Sequence, residues 1–299
     1  KEKAKILLEK AIDSDSRLAP AWANLANYYY QIKNMVQAKY ACLKSIEIDS
    51  YSYNIFFLYA TILIEEKDIK RGIDYLYKTI ELNPYFFQAN LNLGSILNDI
   101  GKSKEAEIYT LKAIDIKPES ADAYSNLGMI LSNLGRQIES LEALNKALKI
   151  DPKLARAHLN LGNTLKIIGK LRESEISIRE AIRIDPDFAI AHNNLGSLLI
   201  NLGNLTEAEV SIKRSITINP KFADAHANLG YTLTKLQKHE EAIKSFQSAL
   251  EIENNMSSAL IGIGKVYLTK GNHLKGLTQL KKGEGSISFN IEKGLSFNY

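Results

Sequence analysis

The sequence predicts an all-α protein, an α-solenoid of about eight stacked helix–turn–helix repeats with a short β-hairpin-like tail. Three regular spacings predict this class. Prolines recur every 34 residues, at Pro84, Pro118, Pro152, Pro186 and Pro220. Glycines recur in one phase at Gly94, Gly128, Gly162, Gly196, Gly230 and Gly264, and in a second phase at Gly101, Gly135, Gly169, Gly203 and Gly271. A period of 34 residues is typical of one helical hairpin copied along a chain.

The first helix of each repeat, helix A, is seen most clearly in residues 87–120. Apolar residues follow i, i+3, i+4, i+7 spacing at Leu93, Ile96, Leu97 and Ile100. This spacing predicts a helix over residues 87–100, which ends at Gly101 because glycine tolerates a positive φ. Gly94 lies inside the helix, where glycine costs about 1 kcal/mol relative to alanine. Its recurrence therefore predicts a close approach of two helices.

The second helix, helix B, is predicted over residues 103–116. Ala106, Thr110 and Ala113 lie on its packing side. Pro118 ends it, because proline lacks an N–H group and disfavours helical backbone at the residue before it.

The same frame extends along most of the chain. Full repeats are predicted to start at residues 19, 53, 87, 121, 155, 189, 223 and 257, after a half repeat over residues 1–18. The predicted array therefore spans residues 1–282. The last repeat has glycines at two positions where alanine is usual, so we expect its helix B to be short.

The tail, residues 283–299, follows a different pattern. Apolar residues alternate at Ile287, Phe289 and Ile291, and again at Leu295, Phe297 and Tyr299. Alternation around Glu292, Lys293 and Gly294 predicts a β-hairpin. We expect it to cap the last helices or to begin a further domain, and we expect the parent protein to continue before Lys1.

Composition limits the classes of partner. The net charge of +4 is small for 299 residues and disfavours nucleic-acid and membrane binding. No apolar stretch is long enough to span a bilayer. Cys42 is the one cysteine, so no internal disulfide can form, and we expect a cytoplasmic protein.

The repeat motifs resemble the tetratricopeptide repeat family. The resemblance is carried by segments such as "AYSNLGMILSNLGRQIESLEALNKALKIDP" and covers residues 1 to about 282. It implies a right-handed superhelix with A helices lining a concave face and B helices outside. The second repeat departs most, with Ala60 and Lys67 at the two glycine positions.

Asparagine recurs at the sixth position of the repeats, and we call this set the asparagine ladder. Its members are Asn24, Asn92, Asn126, Asn160, Asn194 and Asn228. An amide both donates and accepts hydrogen bonds, so a row of amides suits the backbone of an extended peptide. In this feature the chain resembles the repeat arm of O-linked N-acetylglucosamine transferases. Asparagine at this position is also part of the general family pattern, so a packing role stays open.

Other groove positions were compared with the carboxylate clamp of chaperone-binding members of the family. Asn163 and Asn194 match its asparagines, but Asp224 and Asn228 replace its basic pair, so we expect no clamp. Leu58 in the second repeat and Gly262 in the last interrupt the ladder, and Phe57 and Leu58 could form an apolar pocket or meet a second copy of the chain. The uncharged A helices predict a neutral groove.

No cofactor or metal site is predicted. His158, His192 and His226 recur every 34 residues, but successive copies should lie about 10 Å apart, too far to share a zinc ion. We interpret them as packing residues, and Cys42 as a buried thiol. No nucleophile motif or phosphate-binding loop is present.

Three functional interpretations follow. The first is a scaffold that binds an extended segment of a protein or peptide partner and is not itself an enzyme. The second is the substrate-recruiting arm of a larger enzyme, such as a glycosyltransferase or another group transferase. End-to-end self-association through uncapped terminal repeats is the third.

Overall fold

The computed structural model of the protein describes residues 2–284, 287–290 and 294–297. Its helices alternate between A and B types after a first, unpaired helix, α1 (Glu2–Ser14). The A helices are α2 (Ala19–Gln31), α4 (Tyr53–Glu65), α6 (Phe87–Asp99), α8 (Ala121–Asn133), α10 (Ala155–Ile167), α12 (Ala189–Asn201), α14 (Ala223–Lys235) and α16 (Ser257–Thr269). The B helices are α3 (Met35–Ile48), α5 (Ile69–Leu82), α7 (Ser103–Ile116), α9 (Gln137–Ile150), α11 (Leu171–Ile184), α13 (Leu205–Ile218), α15 (His239–Ile252) and α17 (His273–Glu284).

The chain divides into two compact units, Lys1–Ile150 and Asp151–Tyr299. Within each unit, every A helix packs against its own B helix, and the B helices also contact the A helix that follows. Successive A helices touch as well, as α2 does with α4 and α12 does with α14. The predicted all-α solenoid class is confirmed by this consecutive packing of helical hairpins. Each A helix begins at the residue where the sequence places the start of a repeat.

The glycines inside the A helices allow each A helix to lie close to its own B helix. A Cβ atom built on Gly94 would lie 2.2 Å from Oγ1 of Thr110, and one on Gly196 would lie 2.3 Å from Cγ1 of Ile212. The predicted close approach is therefore present. Thr110, which packs against Gly94, lowers the stability of the fold in one respect, because its buried hydroxyl has no hydrogen-bond partner among the described residues.

The turn between helices A and B requires a left-handed residue. Gly101, Gly135, Gly169, Gly203 and Gly271 have φ between 74° and 82°. Lys33, Lys67 and Gln237 occupy the same turn position with φ of 60°, 70° and 60°. A side chain with a Cβ is strained in this conformation by about 1–2 kcal/mol.

Replacing one of these residues should relieve that strain. Gln237→Gly is expected to raise the free energy of unfolding in urea by about 0.5–1 kcal/mol, because the side chain is exposed and glycine adopts this φ freely. Gln247→Gly is the matched control, since Gln247 is exposed within α15. There glycine should lower the free energy of unfolding by about 1 kcal/mol. Equal effects of the two changes would contradict the explanation.

The last repeat and the tail differ from the rest. Helix α17 is described over His273–Glu284, and the expected shortening of this helix depends on residues 285 and 286, which lie outside the described residues. Strands β1 (Ile287–Asn290) and β2 (Gly294–Phe297) pair antiparallel, with Ile287 opposite Phe297. Ile291, Glu292, Lys293 and Tyr299, which the sequence analysis included in the hairpin pattern, lie outside the described residues.

Candidate functional site

A cavity of about 750 Å³ lies along the A helices of the first unit. Its lining includes four of the residues that the sequence analysis selected: Asn24, Phe57, Leu58 and Asn92. They come from α2, α4 and α6, because the 34-residue period places equivalent side chains on the same side of successive helices. The structure therefore brings the two apolar positions and two amides of the ladder to one cavity.

The apolar part of this cavity is held in place by aromatic contacts. The ring of Phe57 meets that of Phe86 edge to face, with centroids 5.0 Å apart, and Tyr53 meets Phe86 at 5.1 Å. Leu58 is 8% exposed. Such edge-to-face pairs contribute about 0.5–1.5 kcal/mol beyond burial, so the apolar wall is preformed.

The polar part of the cavity consists of uncharged groups and one carboxylate, that of Asp49. The hydroxyl of Tyr30 donates a hydrogen bond to the carboxylate of Glu65, and this bond and partial burial raise the pKa of Tyr30 to about 12. Asp49 accepts a hydrogen bond from the backbone N–H of Tyr51 at 2.9 Å. Asn24 is exposed and Asn92 is half-buried, so both amides can reach a ligand.

The remaining members of the asparagine ladder are less accessible than these two. Asn126 is 4% exposed and Asn160 is 7% exposed. This burial leaves little of either side chain accessible to a ligand.

In the second unit the amides bind one another across neighbouring A helices. Nδ2 of Asn194 donates to Oδ1 of Asn163 at 3.0 Å, and Nδ2 of Asn228 donates to Oδ1 of Asn193 at 2.9 Å. An amide has two donor hydrogens and an oxygen with two lone pairs, so each pair keeps capacity for a ligand. These bonds also link successive repeats.

A second cavity of about 470 Å³ lies in the second unit and includes Asn228, Tyr231 and Lys265. In α16, Gly262 stands at the position where most other A helices carry a ladder asparagine, for a reason that the sequence did not reveal. A Cβ on Gly262 would lie 2.3 Å from Cζ of Phe246, a ring that is 2% exposed. The ring also lies against Gly230 of the preceding A helix. The interruption is a packing compensation for a large residue in α15.

The expectation of a neutral groove does not describe the second unit. Asp224 and Lys265 line its cavity of about 470 Å³. Lys166, near the end of α10, donates from its Nζ to Oγ of Ser197 on α12 at 2.9 Å. The expectation was drawn from A helices without charged residues, although the spacing of three residues between Asn163 and Lys166 places both on the same helical face.

The recurring histidines form a bond that the packing interpretation did not include. Nε2 of His158, His192 and His226 lies 3.0 Å from the carbonyl oxygens of Pro152, Pro186 and Pro220. A carbonyl can only accept, so each Nε2 carries a proton and donates. Trp22 and Asn90 bond the carbonyl six residues before them in the same way. These residues join five of the A helices, α2, α6, α10, α12 and α14, to the loops that precede them.

The described part of the chain lacks two further kinds of feature, a metal-binding cluster and a membrane-spanning helix. Residues 2–284 and the two strands contain no group of three or more His, Cys, Asp or Glu side chains placed to hold a metal ion. In the same residues, no helix combines the length and the hydropathy needed to cross a membrane. Cys42 is buried, and burial raises the pKa of its thiol to about 12, so it is unreactive in the folded protein.

Comparison with family models identifies the class of protein. Models of the tetratricopeptide repeat match residues 87–120, 109–142, 155–188, 178–210 and 223–256, and a further TPR repeat model matches residues 130–169. Together the matches cover more than half of the chain. The chain belongs to the tetratricopeptide repeat family. No curated protein matches the sequence.

Solved structures of similar fold agree with this assignment. A tetratricopeptide repeat protein from Parabacteroides merdae has a TM-score of 0.71 at 16% identity, over 84% of this chain and 98% of that chain. The APC/C hetero-tetramer Cut9–Hcn1 gives 0.69 at 19% identity, over 95% and 56%. YrrB, described as a TPR protein with an unusual peptide-binding site, gives 0.54 at 23% identity, over 62% and 95%. At these identities the likeness is one of fold.

Proposed function

We propose that this chain is a protein-interaction scaffold that holds an extended peptide segment of a partner against its A helices. The observation that carries the proposal is the cavity of about 750 Å³ in the first unit, where Phe57 and Leu58 lie beside Asn24 and Asn92. An apolar surface with a few convergent polar groups is the usual composition of a ligand site.

The chemistry of this cavity suits a peptide. The exposed amide of Asn24 and the half-buried amide of Asn92 supply donors and acceptors for backbone N–H and C=O groups. The apolar wall supplies a place for one aliphatic or aromatic side chain of the partner, which would give selectivity that backbone contacts lack. YrrB has a peptide-binding site on a similar fold, so the fold is compatible with this role.

The alternative function, a substrate-recruiting arm of a larger enzyme, would also begin with the binding of a peptide segment in this cavity. An arm of a group transferase would capture its protein substrate through the same side chains and deliver it to a catalytic domain elsewhere. Peptide capture by this cavity is therefore common to both interpretations, and the test below applies to both.

A peptide selected from a displayed random library would serve as the probe. Replacing Asn24 and Asn92 together with alanine should weaken its binding about tenfold, because two hydrogen bonds worth about 0.5–1.5 kcal/mol each are lost. Fluorescence anisotropy with the labelled peptide measures the dissociation constant.

Asn145→Ala is the matched control, since Asn145 is exposed on the B helix α9. It should leave affinity unchanged. If the double variant and the control bind the selected peptide equally, the cavity is not the binding site and the proposal fails.

A further inference from the structure

Lys166 is half-buried on an A helix and forms no salt bridge with an acidic side chain of the described residues. Within the described residues, no carboxylate oxygen lies within 4.0 Å of its Nζ. The Nζ instead donates a hydrogen bond to the hydroxyl of Ser197. By contrast, Lys213 on α13 and Lys238, which directly precedes α15, bind Glu209 at 2.6 Å and 2.9 Å. An ammonium group has three donor hydrogens, so Lys166 keeps two for a ligand.

Burial makes this arrangement costly. Lys166 is half-buried, and the loss of solvent lowers the pKa of its ammonium group. A charged group that is removed from water without a counterion is destabilising. An anion that docked beside Lys166 would supply the missing charge and offset that cost.

The neighbours of Lys166 supply further donors. Asn163 lies one turn earlier on α10 and accepts at Oδ1 from Asn194, a bond that does not use the donor hydrogens of its own Nδ2. The hydroxyl of Ser197 can turn its hydrogen toward a ligand while it accepts from Lys166. An oxyanion placed here could receive hydrogen bonds from an ammonium, an amide and a hydroxyl.

The distribution of charge on the A helices supports a ligand of negative charge. The A helices of the first unit contain acidic residues but no Lys or Arg. Those of the second unit carry Arg156, Lys166, Lys235 and Lys265 against a single acidic residue, Asp224. A positive excess on this face therefore belongs to the second unit and is not a general property of the repeats.

We propose that Lys166, Asn163 and Ser197 form a subsite for an anionic side chain of the extended peptide, an inference that rests on the proposed function. The ligand group is an oxyanion, which a glutamate, an aspartate or a phosphorylated serine of the partner could provide. Asn163 matches one asparagine of the carboxylate clamp, but the basic residue differs in position, because Lys166 follows Asn163 by three residues on the same helix.

Three labelled twelve-residue probes test the subsite: alternating serine and glutamate, the same peptide with glutamine for glutamate, and the glutamine peptide with phosphoserine for serine. At low salt the wild-type chain should bind the glutamate or the phosphoserine probe at least about tenfold more tightly than the glutamine probe. The probe with the higher affinity identifies the source of the oxyanion.

Variants assign the preference to Lys166. Lys166→Gln should abolish it, Lys166→Arg should retain most of it, and Lys221→Gln, which removes an exposed loop lysine, should leave it unchanged. Circular dichroism checks that each variant is folded, and the arginine variant keeps the test decisive if the glutamine variant unfolds.

The outcomes separate this inference from the function on which it rests. Equal binding of all three probes by the wild-type chain would support peptide capture but overturn the anionic subsite. A preference that survives in Lys166→Gln would overturn it as well. Binding of none of the probes, nor of a peptide from the displayed library, would overturn both proposals.

Discussion

Gly262→Asn, which would fill the gap in the asparagine ladder, is expected to lower the free energy of unfolding by about 3 kcal/mol. A Cβ at this position would lie 2.3 Å from Cζ and 2.5 Å from Cε1 of Phe246. The ring is almost wholly buried and also touches the site of Gly230, so it has little room to move. Forcing extra atoms into a packed core typically costs about 1–3 kcal/mol, and a polar amide against an aromatic ring adds to that.

Urea unfolding in two backgrounds measures the effect. Phe246→Leu places at this position a residue of the size found in other repeats, such as Leu144 and Ile212, and should make Gly262→Asn less costly by at least about 1 kcal/mol. Gly271→Asn is the matched control in the same repeat. A Cβ there meets nothing within 4 Å, and asparagine tolerates its φ of 74°. Equal costs in the two backgrounds would show that the ring is not the cause.

Gly196→Ala is expected to lower the free energy of unfolding by about 2 kcal/mol, although alanine is the better helix former by about 1 kcal/mol. The new Cβ would lie 2.3 Å from Cγ1 of Ile212 and 3.3 Å from the carbonyl oxygen of Ala208. Ile212 is fully buried and branched at Cβ, so it cannot turn aside.

Two comparisons check this explanation by urea or thermal unfolding. Gly203→Ala meets nothing within 4 Å and should cost only about 1 kcal/mol, which is the strain of its φ of 82°. In an Ile212→Ala background, Gly196→Ala should become neutral or stabilising, because the space is then open. A loss of stability that persists there would refute the role assigned to Ile212.

The repeat period was sufficient to predict the helices, because their limits depend on local signals. Gly101 ends α6 and Pro118 follows α7 through their own backbone preferences, which do not depend on the neighbouring repeats. Each A helix begins where the frame predicts. The left-handed turns at Lys67 and Gln237 also follow from their alignment with glycines, although these residues have no preference for that conformation.

The candidate site was harder to predict because accessibility depends on neighbouring repeats. Asn24 and Asn126 share one repeat position, but the first is exposed and the second is 4% exposed. Phe246 reaches the position of Gly262, which lies in the next repeat, so no single repeat reveals the contact. The bond between Lys166 and Ser197 likewise joins two repeats. The sequence shows which residues recur in each repeat, whereas the structure shows which of these side chains are buried by neighbouring repeats.

The bond from helix A to the loop before it has a mechanical consequence. Where Trp22, Asn90 or a histidine makes this bond, the loop carbonyl is tied to the following helix. Phe56 and Leu260 occupy the same position but have no hydrogen to donate, and Tyr124, also at this position, makes no such bond within the described residues. The joints that precede α4, α8 and α16 are therefore the less tightly fastened ones. Tension applied along the chain would open the first unit near residue 50 or residue 118 and the second near residue 254.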